Sequence, residues 1–297
     1  MRNLWKVSRK CMAVVSFIVF CMANMTFVVY GQSESLQNSE LTLYLSQESI
    51  DTTREIFYRA VENGLCSLNE NGTINLMSDD TETMFTDVEW DMLESYINSL
   101  NDIAEIGTII INESFDIESL PSDEITELTL ERDEEISAGE IESDNIYDDI
   151  FELETDDFGC MSISSTLPTL NAYAKATVNR KKVVSYLSTL SVQSPTSAWT
   201  NTVAWWVAKV KEGGSWDYKS VSGYSPYNKK WYAVQRYTTS VKTTEWFGNY
   251  NYGFTGSVLF TQSELLLASN AVNWGTSFCA DDADDIAAVK QGYSESQ

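Results

Sequence analysis

Glu245-Trp246-Phe247-Gly248-Asn249-Tyr250-Asn251-Tyr252-Gly253-Phe254-Thr255-Gly256 is the stretch on which the reading of this chain turns. Glycines, asparagines and aromatic rings crowd together there. That mixture predicts a tight, aromatic-walled turn in which backbone approaches backbone and polar amides point at something. Gly213-Gly214-Ser215-Trp216-Asp217-Tyr218-Lys219 precedes it by about thirty residues, and Asp281-Asp282-Ala283-Asp284-Asp285 follows by about thirty. The three blocks are expected to share one site.

Around these blocks the apolar spacing predicts helices. Residues 167–190 read as one or two helices around the basic cluster Arg180-Lys181-Lys182, expected to be a solvated face. After Pro195 a helix is predicted from about Ala198 to Lys211, with Trp199, Val203, Trp206, Val207 and Val210 as its buried stripe and Gly213-Gly214 ending it. From Trp216 to Trp246 alternation and β-branched residues suggest a strand pair or a long ordered loop. A helix follows from Thr261, whose Thr261-Gln262-Ser263-Glu264 start carries an N-cap pattern, and a last helix is expected from about Ala283 to Gln291, stopping at Gly292.

The rest of the chain has a different chemistry. Of 297 residues with a net charge of −25, positions 32–160 hold 35 acids against 3 bases, and positions 161–297 hold 9 acids against 12 bases. The negative charge therefore belongs to the middle of the chain. Short amphipathic helices are predicted over 49–64 and from about Asp87 to Ile106. Residues 113–158 alternate acids with single apolar residues, so the segment repels itself and is expected to lack order when free. It reads either as a solvated spacer or as an autoinhibitory segment lying in a basic groove of the C-terminal part in place of a polyanion.

At the N-terminus Arg2, Lys6, Arg9 and Lys10 precede an apolar run, the pattern of a signal peptide over 1–31 and hence of a secreted protein; an uncleaved membrane anchor is the alternative. With the peptide removed, no stable membrane partner is expected. Cys66, Cys160 and Cys279 then remain, and Cys160 and Cys279 either clip the ends of the C-terminal region or stay unpaired like Cys66. The expected organisation is a leader over 1–31, a small acidic helical region over 32–110, an acidic disordered linker over 111–159 and a C-terminal domain over 160–297. The fold class is α+β, helix-rich, with a small β-hairpin or sheet.

The chain has no histidine. Ser-His-Asp and Cys-His hydrolases, HExxH metalloproteases and paired-histidine ribonucleases are excluded. Catalysis must rest on Asp, Glu, Lys, Arg, Tyr or Cys.

GGSWDYK (213–219), FGNYNYGFTG (247–256), an apolar helix and DDADDIAAVKQG (281–292), in that order, resemble the bacterial polymorphic toxin type 44 domain over about residues 197–293. Members of that family show GGPWDYK-like, FGNxxYGATG-like and DDPxDxxxIxxG-like blocks. The resemblance implies the C-terminal warhead of an exported bacterial protein, with ribonuclease-type activity and a cognate immunity protein as partner. Its motifs match Trp216, Asp217 and Lys219, then Phe247, Gly248, Asn249, Tyr252, Gly253 and Gly256, then Asp281, Asp282, Asp285 and Gly292. Ser215 and Ala283 stand where the family has proline, and Phe254 where it has a small residue, which narrows any cleft there.

Cleaving RNA without histidine needs a carboxylate to take the 2′-hydroxyl proton and a cation to stabilise charge on phosphorus. Asp217 or Glu245 are the candidate bases and Lys219 the cation, on the side of Asp217 if that piece is extended; alternatively Asp217 and Lys219 simply pair. Trp216, Phe247, Asn249 and Tyr252 are candidate substrate contacts, through stacking or hydrogen bonds. Asp281, Asp282 and Asp285 either hold Mg²⁺ or Ca²⁺ or cap the last helix. Two other functions fit the same residues. One is a peptidoglycan glycoside hydrolase using Glu245 with Asp217, and the other is a non-catalytic aromatic binding module.

Overall fold

The computed structural model describes residues 46–77, 84–138, 167–276 and 283–297. The leader expected over 1–31, the Cys160–Cys279 clip, and Asp281 and Asp282 lie outside them. The architecture is α+β and helix-rich, with two two-stranded sheets and one three-stranded sheet among the described residues. No helix among those residues is long and apolar enough to cross a membrane.

Helix α1 (Gln47–Glu62) starts where the Ser46 side chain accepts the Ser49 N–H, and it buries Ile56, Phe57 and Ala60. It leads into an antiparallel pair, β1 (Cys66–Leu68) and β2 (Ile74–Leu76). Helix α2 (Asp87–Ile106) has the bounds that its apolar spacing predicts. Its start is fixed by a reciprocal cap, in which Glu89 N–H donates to the Thr86 hydroxyl and Thr86 N–H donates to the Glu89 carboxylate. A second antiparallel pair, β3 (Ile109–Ile111) and β4 (Ile117–Ser119), precedes helix α3 (Ser122–Ala138).

Order over 113–138 corrects one expectation, because this part of the acidic segment forms β4 and α3. The stabilising surface comes from elsewhere in the chain. Ile125 is fully buried, and Asp133, only 3 % exposed, meets Lys209 Nζ at 2.5 Å and accepts the Ser215 N–H at 3.1 Å. A segment that repels itself is thus matched by basic and N–H groups that follow it by some eighty residues.

The C-terminal part begins with β5 (Thr169–Asn171), followed by helices α4 (Ala172–Gln193) and α5 (Pro195–Val210), with Pro195 in the first turn of α5. A long loop then reaches β6 (Lys230–Val234) and β7 (Thr239–Thr243). Strand β6 is central, parallel to β5 with Leu170 beside Ala233 and antiparallel to β7 with Tyr232 beside Val241. Three helices complete the chain: α6 (Thr244–Gly256), α7 (Gln262–Thr276) and α8 (Ala283–Glu295). The cap predicted at Thr261 is present, with Glu264 accepting both the Thr261 N–H and its hydroxyl.

Helix α6 is the twelve-residue block expected to be a turn. Its glycines suggest a turn, whereas the period of its apolar residues is helical. Phe247, Tyr250, Asn251 and Phe254 follow i, i+3, i+4, i+7 and are all buried, and Thr243 caps the Trp246 N–H. Backbone does approach backbone here, between two helices instead of across a turn. A Cβ on Gly253 would stand 2.1 Å from the Val289 carbonyl oxygen, and one on Gly292 would stand 1.9 Å from that of Tyr250. Gly292 therefore lies inside α8, which continues to Glu295, and serves the α6–α8 crossing where a helix stop was expected.

One apolar core runs through both parts, from Phe57, Leu93 and Leu100 through Leu190, Val203 and Trp205 to Phe247, Tyr250 and Val289. The described residues on either side of the acidic segment share it. Cys66 lies in this core as a free thiol, pushed up to about 11 by desolvation and so poorly nucleophilic.

Candidate functional site

Residues 211–229, which hold the GGSWDYK block, form the long loop after α5, and its course is set by two carboxylates. Asp133 of α3 holds the Ser215 N–H from the buried side. Asp217 holds the loop from within, its Oδ2 accepting the Gly213 N–H at 3.2 Å and the Ser220 hydroxyl at 2.9 Å. Asp217 is thus a turn-forming residue. The turn also overrides the extended geometry that would place Asp217 beside Lys219, and the two do not pair.

Lys219 leaves this turn exposed and reaches Glu245, the second residue of α6. Nζ and Oε1 are 3.8 Å apart, and the side chains retain 42 % and 38 % of their exposure. Among the described residues this is the one ion pair that joins the GGSWDYK block to the glycine-aromatic block. A contact of that length and exposure adds little to stability. Both groups remain open to a ligand.

Helix α6 has two unequal sides. From Glu245 to Gly256 every residue is buried except Glu245, Gly248, Asn249 and Tyr252, and these four follow the i, i+3, i+4, i+7 spacing of a single face. Gly248 has open space where a Cβ would be, with no heavy atom within 4 Å. One turn on from Glu245, Asn249 Nδ2 donates to Asp285 Oδ1 at 2.6 Å. This bond leaves the Asn249 carbonyl facing away from its anchor and joins the second block to the third. Tyr252 ends the face, its ring against Trp206 and its hydroxyl on the Leu265 carbonyl at 3.2 Å. The open face therefore carries a carboxylate, an ammonium and an amide, with a glycine between them.

The other sequence-predicted residues go elsewhere. Trp216, 7 % exposed, stands edge-on to Trp205, and Phe247, fully buried, packs on Tyr218 and Tyr224. Both are core residues, because α5 and the loop after it close over them, and neither can stack a base. Asp285 lies in the first turn of α8 and holds Asn249, while Asp281 and Asp282 lie outside the described residues. Among the described residues no three acidic or thiol groups converge as a metal site.

Two features have no reading in the sequence, and a third, Arg180, departs from its expected place. Asn179 of α4 donates at 2.8 Å to both Tyr218 Oη and Asn251 Oδ1, so a buried polar bridge ties the loop, α4 and α6 together. Its signal was the second asparagine of the glycine-aromatic block, an amide that points inward, and Asn251 Nδ2 is left sealed without a partner. Asp133, 76 residues before Lys209, had no local signal at all. Arg180 is 8 % exposed and not part of a solvated face, its Nε donating to Ser257 Oγ just past the end of α6. Compared with known proteins, the chain matches no family model, no curated protein and no solved structure.

Proposed function

We propose that the open face of α6 is the reactive face of an exported, toxin-like hydrolase that cleaves RNA without histidine, in line with the resemblance to polymorphic toxin type 44. The observation that carries the reading is the exposed Lys219–Glu245 pair at 3.8 Å, beside an uncovered glycine and one helical turn from an anchored Asn249. In this reading Glu245 takes the proton of the 2′-hydroxyl as its oxygen bonds to phosphorus, the phosphorus–5′-oxygen bond breaks, and the leaving oxygen takes a proton from solvent. Lys219 stabilises the charge that grows on the phosphoryl oxygens. Asn249 accepts a hydrogen bond from ribose or base, and Gly248 leaves room for the sugar. Asp217 positions the loop that delivers Lys219, so its part is structural.

The acidic segment fits a supporting role for its described part. Asp133 touches the loop from the buried side, whereas Lys219 and Glu245 stay exposed with α3 in place. An immunity protein would have to cover the open face of α6, where a basic and an acidic group offer it both signs of charge.

Incubation of the full chain with labelled RNA and with DNA of the same sequence tests the reading. Cleavage of RNA to 2′,3′-cyclic phosphate ends, with DNA untouched, is the expected result. Cleavage of both would remove the 2′-hydroxyl from the chemistry, and attack on purified peptidoglycan with RNA intact would move the substrate to the cell wall.

A further inference from the structure

Of the aromatic residues between α5 and the start of β6, all but one turn inward. Trp216, Tyr218 and Trp231 are buried, and Tyr224 packs its ring against Tyr218, Phe247 and Trp231. Tyr227 departs from this pattern and keeps 55 % of its exposure. A large ring left in water forgoes the gain of burial that its neighbours take.

The backbone that carries this ring is nonetheless held at three points. The Lys229 N–H donates to the Pro226 carbonyl at 2.9 Å, which makes Tyr227 and Asn228 the centre of a turn. The first two residues of α6 fasten that turn from the side. Thr244 N–H donates to the Lys229 carbonyl at 3.0 Å, and Glu245 N–H donates to the Tyr227 carbonyl at 2.9 Å. Tyr227 and Glu245 are therefore main-chain neighbours, and both side chains keep access to solvent. Glu245 is also the residue that Lys219 reaches, at 3.8 Å. An exposed ring on a pinned backbone thus borders the exposed ion pair of the α6 face.

The charge along this part of the chain has one sign. From Tyr218 to Thr244 it carries Lys219, Lys229, Lys230, Arg236 and Lys242 and no Asp or Glu, in a protein of net charge −25. Three of these cations are engaged within the protein. Lys229 Nζ donates to the Gly223 carbonyl and lies 4.1 Å from the Trp231 ring centroid, Lys242 Nζ lies 5.0 Å from that of Trp246, and Arg236 Nη1 donates to the Glu295 carbonyl. Lys230 is exposed, three residues past Tyr227 and in register with Thr243, the residue that caps α6.

We infer that Tyr227 is a base-stacking residue for single-stranded nucleic acid, with Lys230 as a phosphate contact on the same strand. The inference deepens the reading of the Lys219–Glu245 pair as an RNA-cleaving site and rests on it for the role of the strand, though not for its binding. Tyr227 takes the part that Trp216 and Phe247, sealed in the core, cannot. Any base presents a flat face that a tyrosine ring covers, and the fixed turn removes the cost of ordering the backbone beneath it. Stacking needs unpaired bases, so the surface selects single strands over duplexes. A run of cations without acids favours a polyanion over a neutral glycan, the other polymer that lies flat on a tyrosine.

Anisotropy of a labelled 2′-deoxy single strand, which lacks the hydroxyl that the proposed cleavage requires, reads binding by the full chain apart from cleavage. Wild type should bind it, and bind the matching duplex more weakly. Tyr227→Ala should weaken the single strand about tenfold, the scale of one lost stack, at every salt concentration, and Tyr227→Trp should restore it. Lys230→Ala should instead flatten the slope of log affinity against log salt by about 0.7, the loss of one phosphate contact. Both residues are exposed, so the unfolding midpoints should stay with wild type. Tyr227-dependent binding without cleavage of the matching RNA would keep this inference and remove the proposed function, whereas RNA cleavage with affinity unchanged in Tyr227→Ala would do the reverse. No binding of the strand, equal binding of the duplex, or binding of a chito-oligosaccharide in its place would overturn the inference.

Discussion

The two sides of α6 are made from the same twelve residues and follow opposite rules. On the inner side two glycines, Gly253 of α6 and Gly292 of α8, bring the helices together until a single methyl group would collide with a carbonyl oxygen. On the outer side Gly248 faces nothing within 4 Å. The same residue type fixes the fold in one place and leaves access in the other. Inner polar groups pair with one another, as in Asn179–Asn251 and Tyr250–Glu295, whereas the outer Lys219–Glu245 pair is long and exposed. Position around the helix, rather than residue type, separates the groups that build the protein from those that can act.

Breaking the inner side should cost most. Gly253→Ala places its methyl against the Val289 backbone, which cannot move aside, and should lower unfolding free energy by about 3 kcal/mol or more, measured in denaturant. Survival of that variant at wild-type stability would mean that α6 and α8 do not cross as described. Next comes Asp133→Ala, which leaves Lys209 only 15 % exposed and without its partner and frees the Ser215 N–H. A loss of about 3 kcal/mol is expected, with faster amide exchange in the 213–219 loop. A stability change under 1 kcal/mol, by the scale of exposed pairs, would show that α3 is not held to the loop as described.

Gly248→Ala sharpens the contrast from the outer side. Helix propensity favours alanine by about 1 kcal/mol where nothing is displaced, so this variant should match or exceed wild type in the same unfolding assay. Destabilisation comparable to Gly253→Ala would erase the difference between the two faces. The smallest effect concerns a carboxylate that is exposed like Glu245 but pinned. The Thr86 N–H and the Arg59 guanidinium hold Glu89 well below the usual carboxylate range, lowered to about 2. Its folded pKa is depressed, so its contribution is complete above the usual range and fades as pH falls towards about 2. Glu89→Gln should flatten the acid side of the stability profile relative to wild type, and an unchanged profile would mean that the cap is not formed.

Local rules were legible in the sequence. The bounds of α2 and the cap at Thr261 depend on neighbours within a turn or two, and both are present; the stripe expected on α5 holds only at Val203 and Trp206, because Trp199, Val207 and Val210 are half-buried and the helix is covered almost all round from Asn201 to Trp206. The errors share a cause in distance along the chain. Three glycines in α6 oppose helix formation by their propensity, and what offsets them is α8, some forty residues later. Asp133 gives α3 a place only because Lys209 and Ser215 are there to receive it. Arg180 was read with Lys181 and Lys182 as one basic patch, although successive helix residues point in different directions and only Arg180 faces inward. For the site, Lys219, Glu245 and Asn249 were legible as chemistry, and their meeting was not, since it depends on how a loop crosses the first turn of α6. Trp216 and Phe247 carried an aromatic signal that burial turned to packing.

The most direct test of the open face is the rate of RNA cleavage by the full chain, wild type against Glu245→Gln and Lys219→Ala, with the unfolding midpoint of each measured alongside. The account predicts that wild type cleaves, that each variant loses roughly 10²–10⁴ in rate, the scale of a lost general base or charge stabiliser, and that their midpoints stay with wild type. RNA left intact by wild type, or cleaved as fast by both variants, would contradict it.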